Sequence, residues 1–307
     1  MANLSKVLDI LPYIGGLRAQ IRSLRAREGR YPAGHYYSPI PSERDVRRHI
    51  ARQGLTCPND WSEIEFHANA QFHLLEDYLQ YYQEQPWAEE PQRGFRYYFG
   101  QEWFCYADAI FLYSHLRKTV PRRIVEVGSG YSSAVILDTA EHFLPYMPDI
   151  VLIEPNPERL LNLLRPDDLQ QVTVIKGEVQ DVPMSVFSSL QSGDLLFVDS
   201  SHVLKAGNDL YFLLFGVIPL LAEGVNVHFH DVFYSFDYPT EWLLMGRYWN
   251  EAHVLRAFLS YNSEWQIRFF NSYVGWKYHD YLARNMPLCL KNTGGSLYIQ
   301  KSRDASV

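Results

Sequence analysis

Ile124-Val125-Glu126-Val127-Gly128-Ser129-Gly130-Tyr131-Ser132-Ser133 runs directly into Ala134-Val135-Ile136-Leu137. The apolar run predicts a buried strand at residues 123–127, turning through two glycines into an apolar helix. Glycine at such a turn permits unusual dihedrals and lets the backbone approach a ligand, and the following helix offers unpaired N–H groups at its start. Outward from this point strand and helix alternate. Further strands are predicted at residues 150–154, 172–176, 194–199 and 225–229, separated by helical or connecting segments. Their short apolar runs suit parallel strands buried on both faces, and the alternation implies right-handed crossovers in a doubly wound sheet. A helix at 250–261 precedes sixth and seventh strand candidates at 265–270 and 297–300, which are separated by a long connection with Gly294-Gly295 near its end.

Upstream the pattern differs. Residues 4–28 read as a helix interrupted near 12–16, with Leu17, Ile21 and Leu24 set against Arg18, Arg22 and Arg25. Such a basic amphipathic helix can pack its apolar stripe on the body or on a second copy of the chain, or rest on a membrane surface. Pro32, Gly34, Pro39 and Pro41 mark a linker that carries His35-Tyr36-Tyr37-Ser38-Pro39, and a helical pattern at 60–84 ends before Pro86 and Pro91. The expected organisation is an α-rich appendage at 1–100 and a sheet domain at 101–307.

Composition bounds the partners. With 47% hydrophobic and 21% charged residues the chain has material for a packed core. A net charge of -7 argues against nucleic acid, whose phosphates select basic faces. The charge is uneven: residues 1–52 hold ten Lys/Arg against four Asp/Glu, and the remainder 18 against 31. Cys57, Cys105 and Cys289 are scattered without C-x-x-C spacing, which argues against a disulfide framework or a zinc site and suits a cytoplasmic location. No secretion signal opens the sequence, and the longest apolar run, 210–222, is broken by Gly216 and Pro219 and falls short of the about 20 residues that span a bilayer.

A lone G-x-G fits several nucleotide-like ligands. The third glycine of the dinucleotide fingerprint is absent here, its neighbourhood being occupied by Ser132 and Ser133, which disfavours a nicotinamide cofactor. The second strand candidate ends in Val151-Leu152-Ile153-Glu154-Pro155-Asn156. A carboxylate where the chain leaves the sheet can accept both hydroxyls of a ribose, or can serve as a loop acid beside Pro157.

Taken together, Glu126-x-Gly128-x-Gly130 and Ile153-Glu154-Pro155 resemble motifs I and II of class I S-adenosylmethionine (SAM)-dependent methyltransferases. Gly177-Glu178-Val179-Gln180-Asp181 and Phe197-Val198-Asp199-Ser200-Ser201-His202 extend the resemblance over about residues 100–300. Through His228-Phe229-His230-Asp231 the chain is similar to a bacterial subgroup that accompanies surface-glycan biosynthesis genes. The resemblance implies a Rossmann-like, mostly parallel seven-stranded sheet with the α-rich N-terminal appendage. It also implies SAM as cofactor, held by Glu126, Gly128, Gly130 and Ser132 on the methionine side, by Glu154 on the ribose, and by Glu178, Val179 and Asp181 around the adenine.

Asp199 and His202 follow the fourth strand candidate, and His230 and Asp231 the fifth, so the four can converge at the carboxyl ends of the strands. In one reading Asp199, His230 and Asp231 bind a divalent cation that orients and acidifies a substrate hydroxyl, in the manner of metal-dependent O-methyltransferases. In another, His202 or His230 is a general base, with Asp199 beside it. A purely structural role is the third. His228, one step deeper on the strand, reads as a hydrogen-bonded core histidine. Seven aromatics among the 17 residues from Phe233 to Trp249 form core or the wall of an acceptor pocket, and Tyr97, Tyr98, Tyr106 and Asp108 form a lid over that pocket or an internal packing surface.

The leading expectation is O-methylation of a hydroxyl on a saccharide or other small molecule. The alternatives are a nicotinamide-dependent oxidoreductase using the same turn, and a catalytically silent methyltransferase fold that serves as a binding or assembly subunit with the basic N-terminal helix as its contact; the same helix is a candidate surface for a homo-oligomer.

Overall fold

The computed structural model describes residues 12–27, 30–56 and 61–301. Cys57 and the parts of the basic-helix reading at 4–11 and 28 lie outside the described residues. Contacts divide the chain into two units, one formed by residues 1–59 with Pro239–Tyr248 and the other by residues 60–238 with 249–307. In the first, the helix Pro12–Arg27 runs through Gly15 and Gly16 without the expected interruption, because glycine weakens a helix without breaking it and a proline is tolerated at its first position. The helix Glu43–Thr56 follows the linker, and Ser42 and Asp45 bond reciprocally at its start.

The second unit is the sheet. Its strands are β1 (Arg123–Val127), β2 (Asp149–Ile153), β3 (Val172–Ile175), β4 (Leu195–Val198), β5 (Asn226–Phe229), β6 (Trp265–Phe270) and β7 (Leu297–Lys301), in the order β3-β2-β1-β4-β5-β7-β6. The first five are parallel, and β7 enters antiparallel between β5 and β6. The neighbours of β1 were introduced on opposite sides, β2 first and then β4, so the chain reverses direction across the sheet at β1. Ligand crevices form at that reversal, outside the carboxyl ends of the strands.

Every residue of β4 and β5 is buried. This follows from helices on both faces, and explains why the strands read as continuous apolar runs instead of alternating ones. The helix Ala107–Thr119 is buried along ten successive residues and packs between Ala68–Tyr82 and Tyr131–Phe143. It starts only at Ala107, because Gln101 accepts the N–H groups of Trp103 and Phe104 at 2.7 and 2.9 Å and holds them in a loop. The long connection before β7 contains two helices, Asn271–Lys277 and His279–Asn285.

Two buried acid clusters fix the frame. Asp194 accepts N–H bonds from Arg122 and Arg123 at 3.1 and 2.9 Å, tying the entry of β1 to the entry of β4. Arg96, its side chain 4% exposed, donates to Asp138 at 2.9 Å, to Asp168 at 2.8 Å and to Glu141 at 2.7 Å. Asp138 also accepts Trp87 Nε1 and the N–H groups of Arg96 and Tyr97, all at 3.0 Å. Removing one partner of a buried ion network leaves uncompensated charge. Arg96→Ala is therefore expected to lower the unfolding free energy by about 3–5 kcal/mol in urea titration; a loss under about 1 kcal/mol would show that Asp138 and Asp168 find other partners.

Candidate active site

The turn after β1 is tied to the end of β4. Gly128 has φ +80°, and a Cβ added there would lie 1.7 Å from the carbonyl oxygen of Asp199. Only glycine fits, and the close approach it allows is to the chain's own backbone. At Gly130 a Cβ would make an ordinary contact, 3.5 Å, with Cδ of Arg159. Beneath the turn Glu126 is fully buried and takes a hydrogen bond from the Ser133 hydroxyl, which itself accepts the N–H of Gly130 at 3.0 Å. Burial lifts the Glu126 carboxyl to about 7 against the opposing hydrogen bonds of Ser132, Ser133 and Ser129.

At the end of β2 the Glu154 carboxylate bridges two loops, accepting the N–H of Ser129 at 3.1 Å and that of Asn156 at 2.8 Å. Two oxygens carry about four acceptor positions, so Glu154 keeps capacity for a ligand. It lines a cavity of about 520 Å³ together with Gly128, Glu178, Val179, Gln180 and Asp199. Ser200, Ser201 and the segment Lys205 to Asp209 close the opposite wall. Asp209 holds this wall by accepting the Ser201 N–H at 2.7 Å.

Asp199 is also the first member of a polar cluster. One ligating atom from each of Asp199, His202 and Asp231 lies within 4.8 Å of the others. His202 Nε2 stands 3.3 Å from Asp199 and 3.7 Å from Asp231, while its Nδ1 meets Glu251 at 2.7 Å. His202 and Asp231 both have positive φ, 59° and 57°, an uncommon conformation for residues with side chains and one that recurs at functional sites. Burial alone would disfavour the His202 imidazolium, but hydrogen bonds and charge from Asp199 and Glu251 overcome it and raise the group well above its usual value. Burial likewise opposes charge on His230, which Asp231, Asp199 and Asp108 raise. Burial pushes Asp199 up, and His230, His202 and Arg159 outweigh it.

Asp199, His202, His230 and Asp231 thus converge as expected, but in a different grouping. The cation-sized set takes His202, whereas His230, 3.6 Å from Asp231, stands outside it and packs on Phe104. With carboxylates on both nitrogens, His202 is held charged and does not fit the role of free base. Of the cofactor set, Gly128, Glu154, Glu178 and Val179 line the cavity. Glu126, Gly130 and Ser132 do not, the first and last being buried under the turn. Asp181 faces solvent because the single 3₁₀ turn Val179–Asp181 rotates it away, and Gln180 takes its place on the wall. His228 is a core residue but makes no hydrogen bond among the described residues; its ring stacks on Phe197 at 3.9 Å.

Asp108 is no lid. It is buried and accepts bonds from Asn271, Gly295 and Ser296 at 3.0, 3.1 and 2.6 Å. Tyr97 is buried as well, and Tyr106 bonds Glu89. Among the later aromatics Phe236 and Tyr238 are core, Tyr234 stacks on Trp276, and Trp249 lies against His202 at 4.3 Å. Sequence reading missed Glu251, which lies 49 residues from the histidine it orients, and the wall from Lys205 to Asp209.

Residues 125–232 match a family described as a methyltransferase domain. An uncharacterized protein of Archaeoglobus fulgidus is 32% identical over 166 residues, covering 52% of this chain and 74% of that protein. Among solved structures, the SAH-bound methyltransferase PaMTH1 of Podospora anserina is similar at 17% identity over 85% of this chain and 97% of that one, with a TM-score of 0.42. The O-methyltransferase TomG of Streptomyces achromogenes, solved with SAM, is similar at 14% identity over 86% and 100%, with a TM-score of 0.43. No helix among the described residues is long and apolar enough to cross a membrane.

Two expectations follow from the turn. Gly128→Ala should cost several kcal/mol or prevent folding, whereas Gly130→Ala should stay within about 1 kcal/mol of the parent; equal losses in chemical denaturation would refute the distinction. Glu126 is raised from 4.5 to about 7 on folding, so its contribution is full below about pH 4.5 and is lost as the pH rises through 7. Glu126→Gln, always neutral, should gain stability on the parent between pH 5 and pH 8 by on the order of 3 kcal/mol, and parallel pH profiles would contradict a buried neutral carboxyl.

Proposed function

The chain belongs to the methyltransferase family matched at residues 125–232, and on that premise we propose that it transfers the methyl group of SAM to a hydroxyl oxygen of a small molecule, with a saccharide hydroxyl as the favoured acceptor. One observation carries the reading: Asp199 belongs both to the wall of the cavity and to the Asp199/His202/Asp231 cluster. A nucleoside in the cavity therefore ends where the cluster begins.

The cavity volume suits a small cofactor. Glu154 has acceptor capacity for the ribose hydroxyls, and Val179 offers an apolar surface to the adenine. Gln180 adds a polar atom: its Oε1 is buried without a partner among the described residues, ready to accept from an exocyclic amine. These contacts turn the sulfonium end toward Gly128 and Asp199. In the transfer the acceptor oxygen attacks the methyl carbon in line, the C–S bond breaks with its electron pair going to sulfur, and S-adenosylhomocysteine leaves as a neutral thioether. Most of what the protein supplies is position.

The acceptor proton must also leave. His202 and His230 are both pushed toward their charged forms and Asp199 is held below the ordinary carboxylate range, so the cluster alone is a weak base for an alcohol. Two carboxylates and one imidazole nitrogen suit a divalent cation, and Asp199, His202 and Asp231 would hold it. The group would lower the pKa of the acceptor hydroxyl. Glu251 supports this arrangement, since by accepting Nδ1–H it orients the ring so that Nε2, once a cation displaced its proton, would be the ligating atom. The exposed ring of Trp276, stacked under Tyr234, offers a face suited to a sugar ring.

Thermal unfolding with S-adenosylhomocysteine tests the cofactor. Stabilisation of about 2.7 kcal/mol is expected at a hundredfold excess over Kd, lost in Glu154→Ala; stabilisation by NADH and none by S-adenosylhomocysteine would overturn the reading. For the cation, calorimetric titration with Mn²⁺ should show one site that Asp199→Asn weakens by more than tenfold and His230→Ala does not. A site lost with His230 and kept with His202→Ala would restore the other grouping.

A further inference from the structure

The glycine turn beside the cavity is overhung by a cation with no ion-pair partner among the described residues. Arg159 lies outside β2, its Cδ 3.5 Å from where a Cβ on Gly130 would stand. Its guanidinium sits over the ring of Trp103, 3.6 Å from the ring centre. Among the described residues it makes no ion pair, in contrast to Arg96, Arg117, Arg123, Arg165 and Arg256 of the same unit, each of which meets a carboxylate.

The support beneath it is built. Gln101, buried, holds the loop that presents Trp103 by accepting the N–H groups of Trp103 and Phe104 and donating to the Phe104 carbonyl at 2.6 Å. Phe104 in turn packs against Phe197 and His230, at the ends of β4 and β5. A guanidinium seated over an indole face keeps N–H donors for a ligand, and those donors match the two oxygens of a carboxylate. Fixing the side chain beforehand also lowers the entropy cost of ligand capture.

We propose that Arg159, seated on Trp103 beside Gly130, is the subsite for the carboxylate of the cofactor's amino-acid arm. The inference rests on the SAM reading of the cavity. With the ribose on Glu154 and the sulfur toward Gly128, the arm beyond the sulfur passes the glycine turn, and Arg159 is a cation standing beside that turn. Gly130 acquires a reason as well: the protein's own packing tolerates a methyl group at that position, whereas an arm running between the turn and Arg159 does not.

The experiment compares S-adenosylhomocysteine with 5′-methylthioadenosine, which keeps the nucleoside and sulfur but lacks the amino-acid arm. Calorimetry on the full chain is expected to show Arg159→Gln weakening S-adenosylhomocysteine by about 10- to 100-fold while leaving 5′-methylthioadenosine unchanged, with Trp103→Ala showing a smaller loss of the same selectivity. Unchanged 5′-methylthioadenosine binding also reports that the variant is folded. Equal affinity of parent and Arg159→Gln for S-adenosylhomocysteine overturns the proposal, as does an equal loss for both ligands. If the parent binds neither compound, the SAM reading itself fails, a result separate from a failure at Arg159.

Discussion

The contact between Gly128 and the carbonyl oxygen of Asp199 is the constraint around which the site is arranged. A methyl group on Gly128 would lie 1.7 Å from that oxygen, so the loops leaving β1 and β4 run against each other with no side chain between them. That approach brings Glu154, which holds the glycine turn from β2 through Ser129, and Asp199, which leaves β4, to the same cavity. It also makes one carboxylate common to two sites, a nucleoside-sized cavity and a cation-sized cluster. Reaction geometry is thereby set by backbone packing, the least adjustable part of the structure.

Electrostatics follows from the same packing. The sheet buries Glu126 beneath the turn, where desolvation favours its neutral form, while Glu154, Asp199 and Arg159 stand around the glycines. On the far side of Asp199, Glu251 and His202 form a buried pair in which each compensates the other's desolvation. The chain thus sorts its acids by environment: neutral under the turn, paired behind the cluster, and ionised where the cavity meets it.

Much of this was legible in the sequence because the parallel sheet imposes short apolar runs. The bounds of β1 and β6 match their expected ranges, and β2, β3 and β4 each end one residue earlier than expected, at Ile153, Ile175 and Val198. The residue just beyond β2 and β4 is polar, Glu154 and Asp199, which places it where a side chain can leave the sheet for a ligand. What the sequence did not reveal depends on tertiary distance. His202 and Glu251 meet only because the helix Glu251–Leu259 starts beside the β4 loop, and nothing in the local pattern at Asn250 signals it. The expected ligand set took His230 with Asp199 and Asp231, whereas the cation-sized set takes His202, which reaches both carboxylates from the β4 loop. Asp181 and Gln180 exchanged places through a single 3₁₀ turn. Arg159 carries no motif at all, its position being set by Trp103 from a distant loop.

A crystal structure of the chain grown with S-adenosylhomocysteine is the most direct measurement of whether the cavity and the cluster form one reaction centre. The expected result places the ribose hydroxyls on Glu154, the sulfur beside Gly128 facing Asp199, and the open side of the sulfur toward the Asp199/His202/Asp231 group. A nucleoside bound with its sulfur turned away from Asp199, or density only outside the cavity lined by Glu154 and Gln180, would contradict it.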